Sequence, residues 1–541
     1  MTAPTPLPEK TTGFEPLRQP LFRDRWIASI VSNVGGWMQD TAGTWLMTLL
    51  TTSPLLISLM QTAASLPVLM LGLLAGATAD VYDKRRLLIF WQAWMLTTVG
   101  LLSLLTFAGI ISPWVLLILT FGLNIGAAMN NPAWQAIVPE LVPSSQIPDA
   151  VALNSAGYNL ARAVGPALGG LAVAAFGRNA YRGTAFVFLL NAISFVGVIV
   201  VLYRWKRTPL FKSALPAERV FGSMRSGVRY IRHSPVLQAT LLRAVLFTVF
   251  VSAVWSLLAV VSRHDLHQGA IGYGVLNGSM GLGAVIGAFL LPRVRRLMST
   301  DRIIAISTGV FVTTLVVLAF VRIVPIIILF LIAGGFAWTS TMSSLNVSVQ
   351  LSAPSWVRAR ALGIYQMVLQ GGMAAGGVLW GFVAERYSTP MALAFASAGL
   401  LVSLPLAWRV HILRDAPDLS PYKQNRPIPQ FALEVRPHDG PVHVSIEYRI
   451  HPEDYAGFTR AIHKLRDVRL RGGAIRWGIF QDVRDPSHLS ETFLVESWIE
   501  YLRQRERFTA DDLRIRDMVW SYHSGNEPPK VSHMIYARET S

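Results

Sequence analysis

Asp40 stands inside a long apolar stretch, with Asn33 seven residues before it and Thr44 four residues after it. At 3.6 residues per turn the three side chains fall on one helical face, beside Gly36. A carboxylate there, about 22 Å along a helix from Arg25, would sit past the midplane of a bilayer toward its outer side. Removed from bulk water, it could exchange a proton as access and substrate charge change. The competing reading is a permanent pairing with a donor on a neighbouring helix. Arg162 and Arg243 are the other two ionisable groups well inside apolar runs. Ionisable groups in hydrocarbon are costly and usually face a cavity, so all three are candidates for a substrate or coupling cleft. Either arginine could instead snorkel toward the surface. Asn124 and the polar run WTSTMSSLN, which begins at Trp338, could line the same cleft or hydrogen-bond between helices.

The elements that must position these residues follow from composition. The chain has 541 residues, 52% of them hydrophobic and 15% charged, whereas a soluble protein carries about 25% charged residues. An ordinary soluble enzyme and a disordered chain are thereby excluded. There is no cysteine, which excludes disulfides, thiolate metal sites and cysteine nucleophiles. No phosphate-binding glycine loop of the P-loop kind occurs, so ATP is not the expected source of energy and no cofactor is expected. Twelve apolar runs recur, near 25–49, 54–79, 86–109, 113–134, 150–176, 182–203, 237–262, 269–292, 302–321, 324–350, 359–384 and 389–411. Each is long enough to cross a hydrocarbon core of about 30 Å. The expected architecture is an all-α polytopic membrane protein of twelve transmembrane helices in two six-helix halves.

Charge sets the expected orientation. The last 121 residues hold 18 Lys+Arg and 17 Asp+Glu, which leaves 30 basic and 14 acidic groups in the first 420. With the N-terminus inside, 23 of those 30 basic groups fall on inner segments and 5 on outer ones, the latter being Arg178, Arg182, Arg263, Arg322 and Arg386. The positive-inside rule then places both termini in the cytoplasm. The net charge of +17 is mainly an orientation signal, and no nucleic-acid partner is expected. Residues 1–24 are polar and Pro-rich, and the first apolar run is too long for a signal peptide and lacks a small-residue cleavage site, so the N-terminal segment is expected to be retained.

An internal repeat divides the membrane part. The longest connection between runs is a basic segment, 204–236, that separates a half at 25–203 from a half at 237–411. GATADVYDKRR from Gly76 is matched by GAFLLPRVRR from Gly287 at an offset of 211. Asn131, Gln135 and Pro139 are matched by Asn346, Gln350 and Pro354 at 215, and Gly169-Gly170 by Gly376-Gly377 at 207. Three matches in order, at nearly constant offset, indicate a duplication of the kind found in transporters.

The segment at Gly76 resembles the cytoplasmic signature of the major facilitator superfamily, with Gly76, Asp80, Lys84 and Arg85 in the pattern and Asp83 where that family often has Gly. The resemblance implies a gate latch in which Asp80 faces the start of the eleventh helix, where Arg358 and Arg360 stand; the alternative is that Lys84 to Arg86 only anchor topology. SNVGGWMQDTAGTWLMTLLTTSPLLISL, and the stretch from Asn130 to Gly170, resemble the bacterial group that includes the enterobactin exporter, the transmembrane secretion effector family. That resemblance implies export of a small molecule driven by the proton-motive force. Gly165, Pro166, Gly169 and Gly170 resemble the antiporter motif of helix five, although Ala152 and Ala161 replace two of its glycines; ordinary close packing would use the same residues. Helix four often carries a buried Arg in drug/proton antiporters, and FGLNIGAAMN has none. That proton relay therefore does not transfer.

After Arg414 the composition shifts to a Pro-rich linker, 412–430, and then to a soluble pattern over 431–541. Strands are predicted from Val442, over 474–482, 491–498 and 531–537, and helices over 452–468, 499–508 and 511–521. The order suggests a ferredoxin-like α+β domain. SWIEYLRQRERFTADD resembles antibiotic-biosynthesis-monooxygenase-like domains, which implies pairing through this domain. His451, His463, His488, His523 and His533 show no metal-ligand spacing.

The chain is thus expected to be a multi-pass protein of the bacterial inner membrane that exports a small molecule by proton-coupled antiport, with the lipid bilayer, protons and its substrate as partners. The rival expectation is a membrane-tethered enzyme or regulator whose C-terminal domain carries the activity.

Overall fold

The computed structural model describes residues 14–177, 179–205, 220–409, 418–420 and 435–536. The side chains of 80, 81, 139, 144, 220–224 and 406–409 lie outside that description, and so does most of the 412–430 linker.

Helices fill the first four hundred residues. In order they are α1 (Pro20–Leu50), α2 (Pro54–Val81), α3 (Lys84–Phe107), α4 (Pro113–Ala136), the single turn α5 (Val138–Leu141), α6 (Ile147–Ala174) and α7 (Ala180–Arg204). There follow α8 (Val220–Arg232), α9 (Pro235–Val260), α10 (Ala270–Leu297), α11 (Thr300–Phe320), α12 (Val324–Ser352), α13 (Ser355–Arg386) and α14 (Thr389–Arg409). Local chemistry sets several starts: Ser53 and Ser112 accept hydrogen bonds from Leu56 and Val115 N–H, and a proline follows each of them. Asp83, where the superfamily often has Gly, caps α3 by accepting from Arg86 N–H at 2.9 Å.

Every predicted apolar run holds a helix. Nine of the helices among the described residues, α2, α3, α4, α7 and α9 to α13, are long and apolar enough to cross a membrane. α1 and α6, of 31 and 28 residues, carry more polar and charged residues, and α14 offers only the shorter apolar stretch Thr389–Pro405.

The chain divides into two compact units. One comprises 1–216, 242–345 and 365–410, and the other 217–241, 346–364 and 411–541. In the first, paired glycines set the helix contacts. A Cβ on Gly169 would lie 2.7 Å from Met38 O of α1, and one on Gly170 would lie 2.5 Å from Ala270 O of α10. In the second half, a Cβ on Gly376 would lie 2.5 Å from Val249 O of α9, and one on Gly377 would lie 2.6 Å from Thr62 Oγ1 of α2. In each half the first glycine admits that half's leading helix and the second admits a helix of the opposite half. The repeat seen at Gly169-Gly170 and Gly376-Gly377 is therefore also a repeat of contacts. Gln135 donates to Asn131 Oδ1 at 3.1 Å, and Gln350 to Asn346 Oδ1 at 2.6 Å, so a second matched pair makes the same bond in both places.

The second unit holds the C-terminal domain: β1 (Val442–Arg449), α15 (Tyr455–Gly472), β2 (Ala474–Gln481), β3 (His488–Val495), α16 (Trp498–Glu506), α17 (Ala510–Trp520) and β4 (Lys530–Ile535). β3 begins three residues before the predicted strand. The four strands form one antiparallel sheet in the order β2-β3-β1-β4. Alternate residues of β1, namely Val442, Val444, Ile446 and Tyr448, are buried against Phe458, Ile462 and Leu465 of α15. α15 ends at Gly473, whose φ of 143° suits a residue without Cβ. The fully buried Glu491 accepts from Tyr448, Arg469 and Trp477 at 3.0–3.1 Å, so its charge is matched by donors.

Candidate substrate and coupling cleft

α1, α6 and α10 meet around Asp40. Gly165 lets α6 approach α1, since a Cβ there would lie 2.5 Å from Trp37 Cβ. The approach brings the Trp37 ring to Tyr158, edge-on at 6.2 Å between centroids, and places the Arg162 guanidinium 5.7 Å from the Trp37 ring. Tyr158 lies within electrostatic reach of both Asp40 and Arg162. Tyr273 of α10 stacks on Trp45 of α1 at 6.1 Å. Asn277, one turn further along α10, donates to Thr41 Oγ1 at 3.2 Å. Asp40 has an exposed side chain, and among the described residues no hydrogen bond or ion pair ends on its carboxylate. Arg162 is half-buried with a ring, not an acid, as its contact. Two opposite charges thus share one aromatic wall without neutralising each other.

Other predicted residues stand elsewhere. Asn33 donates only to Ser29 Oγ, at 3.4 Å, and Asn124 to Thr120 O of its own helix, at 2.9 Å. Arg243 is buried in an ion pair with Asp301 at 2.5 Å, beside a small cavity that Thr308 and Thr341 also line. Trp338 packs in an aromatic cluster, 4.6 Å from Trp255 and 6.1 Å from Phe247.

In the gate motif, Lys84 pairs with Glu140 at 2.9 Å and donates to Ala136 O, while Arg85 donates to Leu202 O and Tyr203 O. Both cations therefore sit on carbonyls at the C-terminal ends of α4 and α7, where the helix dipole favours positive charge. A Cβ on Gly76 would meet nothing within 4 Å. The Asp80 side chain lies outside the described residues.

At the opposite helix ends the two halves are tied by polar contacts. Glu385 of α13 accepts from the Ser53 hydroxyl at 2.8 Å and from Leu55 N–H at 3.2 Å, at the start of α2. Arg263 donates to Thr48 O and, at 3.2 Å, to Thr48 Oγ1, at the end of α1. Ser58 and Thr62 of α2 donate to Ser256 O and Ala374 O at 3.1 and 2.9 Å. Trp37 and Tyr158 had a sequence signal, standing three residues before Asp40 and four before Arg162 on the same helical faces. Tyr273, Arg263 and Glu385 had none, because their partners lie in the other half.

Apolar helices in two glycine-matched halves, with unpaired charges between them, define a multi-span membrane carrier. The chain belongs to the transmembrane secretion effector family of major facilitator transporters, which it matches over residues 11–541. It is similar to the staphyloferrin A transporter of Staphylococcus aureus, 23% identical over 364 residues that cover 66% of this chain and 88% of the relative. Over 372 residues it is 24% identical to the multidrug efflux pump Tap of Mycolicibacterium fortuitum, covering 66% and 88%. It is 26% identical to the enterobactin exporter of Escherichia coli O1:K1 over 391 residues, covering 71% and 90%. The fold is similar to that of a bacterial homologue of the lysosomal transporter Spinster, with TM-score 0.58 at 12% identity over 74% of this chain and 98% of the other. The family and these relatives are transporters, not enzymes.

Proposed function

We propose that this protein is a secondary active exporter that moves a small molecule out of the bacterial cytoplasm by alternating access, with protons as the coupling ion. The observation that carries the reading is Asp40, a carboxylate on α1 on which no hydrogen bond or ion pair ends among the described residues, one turn from Trp37, whose ring meets Tyr158 and Arg162. Such a group can hold a proton in one state and release it in the other, while Arg162 answers the charge of the cargo. The siderophore and drug transporters among the relatives support a siderophore, drug or metabolite as substrate.

In this reading twelve helices span the inner membrane, α1, α6 and α14 included, and both termini are cytoplasmic. Asp80, Lys84, Arg85 and Gly76 form the cytoplasmic gate, and the glycines of α6 are the export-type helix contact. The ties at Ser53, Thr48, Arg263 and Glu385 then close the outer end, so the described state is closed to the outside. The C-terminal domain is proposed to be ferredoxin-like, with a regulatory or dimerising role. Everted vesicles that contain the protein, loaded with a macrolide, a cationic dye or an iron-free siderophore, test the reading. Uptake of at least one that collapses with the pH gradient is expected, and no gradient-dependent uptake of any would contradict it.

A further inference from the structure

The second compact unit joins three segments distant in sequence: residues 217–241, residues 346–364 and the C-terminal domain. α8 is the wedge between them. Tyr230 of α8 is buried, meets the Trp356 ring edge-on at 5.6 Å and donates to Ser352 O at 3.4 Å. Burial pushes its hydroxyl up to about 12. Gly227 lies against Arg360, where an added Cβ would come within 3.0 Å of Arg360 Cβ, and Arg360 donates to Ser226 Oγ at 2.8 Å.

The C-terminal domain closes on this assembly through charge. The Arg507 guanidinium lies 4.4 Å from the Trp356 ring, donates to Gly472 O at 3.0 Å and pairs with Glu500 at 2.5 Å. Glu500 also pairs with Arg229 of α8 at 3.4 Å and with Arg503 at 3.5 Å. These side chains are largely covered, so the attraction is screened far less than at an open surface. Trp356 is thereby held between a ring of α8 and a cation of the C-terminal domain. It sits in the first turn of α13, and α13 is one continuous helix that later carries Gly376, Gly377 and Glu385.

We infer that the C-terminal domain regulates the carrier by gripping Trp356 at the start of α13, through Arg507 and Glu500, and so favours the state in which Glu385 caps α2. The inference rests on the alternating-access reading. A helix can report an event at its start to contacts along its length only if those contacts have two arrangements, and alternating access would supply the second arrangement for the Glu385 cap and the glycine contacts of α13.

The absence of cysteine makes a direct test available. Spin labels on Arg86→Cys and Arg296→Cys, two exposed sites on α3 and α10, report the distance between the halves in the full-length protein in nanodiscs. Native protein is expected to give two distance populations. Trp356→Ala and Arg507→Ala are expected to change their ratio by about fivefold, against the state with the grip intact, and Arg507→Lys by less, because it keeps the charge beside Glu500. Trp356→Ala leaves the C-terminal domain's own sequence untouched, so its effect does not depend on that domain refolding. Two populations whose ratio neither alanine variant alters would overturn the grip alone. A single population in every variant would overturn alternating access and this inference with it.

Discussion

The carboxylate of Glu385 accepts the Ser53 hydroxyl at 2.8 Å and the Leu55 N–H at 3.2 Å, so an acid of the second half caps a helix of the first. An acid at a helix N-terminus gains from both the free N–H groups and the dipole, so the cap stabilises the contact between α2 and α13.

Removing the cap should therefore open that end. Glu385→Ala is expected to weaken the closed state by about 1 kcal/mol, and Glu385→Gln by less, because the amide oxygen still accepts. A single cysteine at Thr44 and a membrane-impermeant maleimide provide the readout. Alkylation from the outer side should be about fivefold faster in Glu385→Ala than with the acid present. Equal rates would show that the cap holds nothing shut.

The glycine pairs give a contrast between positions. Gly170→Ala would set a methyl group 2.5 Å from Ala270 O, and Gly377→Ala one 2.6 Å from Thr62 Oγ1. Both contacts join the halves through backbone or a short side chain, so relief requires the helices to separate, at a cost of about 1–3 kcal/mol. Gly76→Ala meets nothing within 4 Å. Melting temperatures in detergent should fall for the first two variants and stay near native for the third.

A pH effect is expected in the C-terminal domain. The His533 ring bonds the Tyr501 hydroxyl at 2.6 Å, and burial, with Arg505 adding to it, holds the imidazole below its ordinary 6.5. The unfolded chain then binds this proton more readily than the folded one. The stability it confers is present in full above pH about 6.5 and is lost as pH falls through that value toward the lower folded pKa. Fluorescence melting, in which Trp498 lies 6.3 Å from His533, should show native protein losing stability on acidification. His533→Gln should lose less, and parallel curves would contradict the assignment.

Asp40, Arg162 and the glycine pairs are legible in the sequence because each is a local pattern: a charge in an apolar run, or a doublet repeated at constant offset. Tyr273 and Glu385 are not, since the partner that places each lies in the other half; Leu55 is 330 positions from Glu385. Asn124 and Trp338 show the reverse difficulty. Polarity and helical position suggest a cleft, yet Asn124 bonds its own helix and Trp338 joins a ring cluster, and no one-dimensional pattern separates those fates. α8 lies within the basic 204–236 connection, where charge reads as topology. Its apolar face, with Tyr230, becomes evident only beside Trp356.

The central claim is that Asp40 couples proton movement to export, and one comparison tests it. A substrate identified in the everted-vesicle screen is offered to vesicles containing native protein or Asp40→Asn, with an imposed pH gradient and without one. Asparagine keeps the shape of the side chain and cannot exchange the proton. The variant is expected to lose gradient-driven accumulation while still equilibrating or binding the substrate. Accumulation at the native level, still abolished when the gradient is collapsed, would contradict the claim and move coupling to another group.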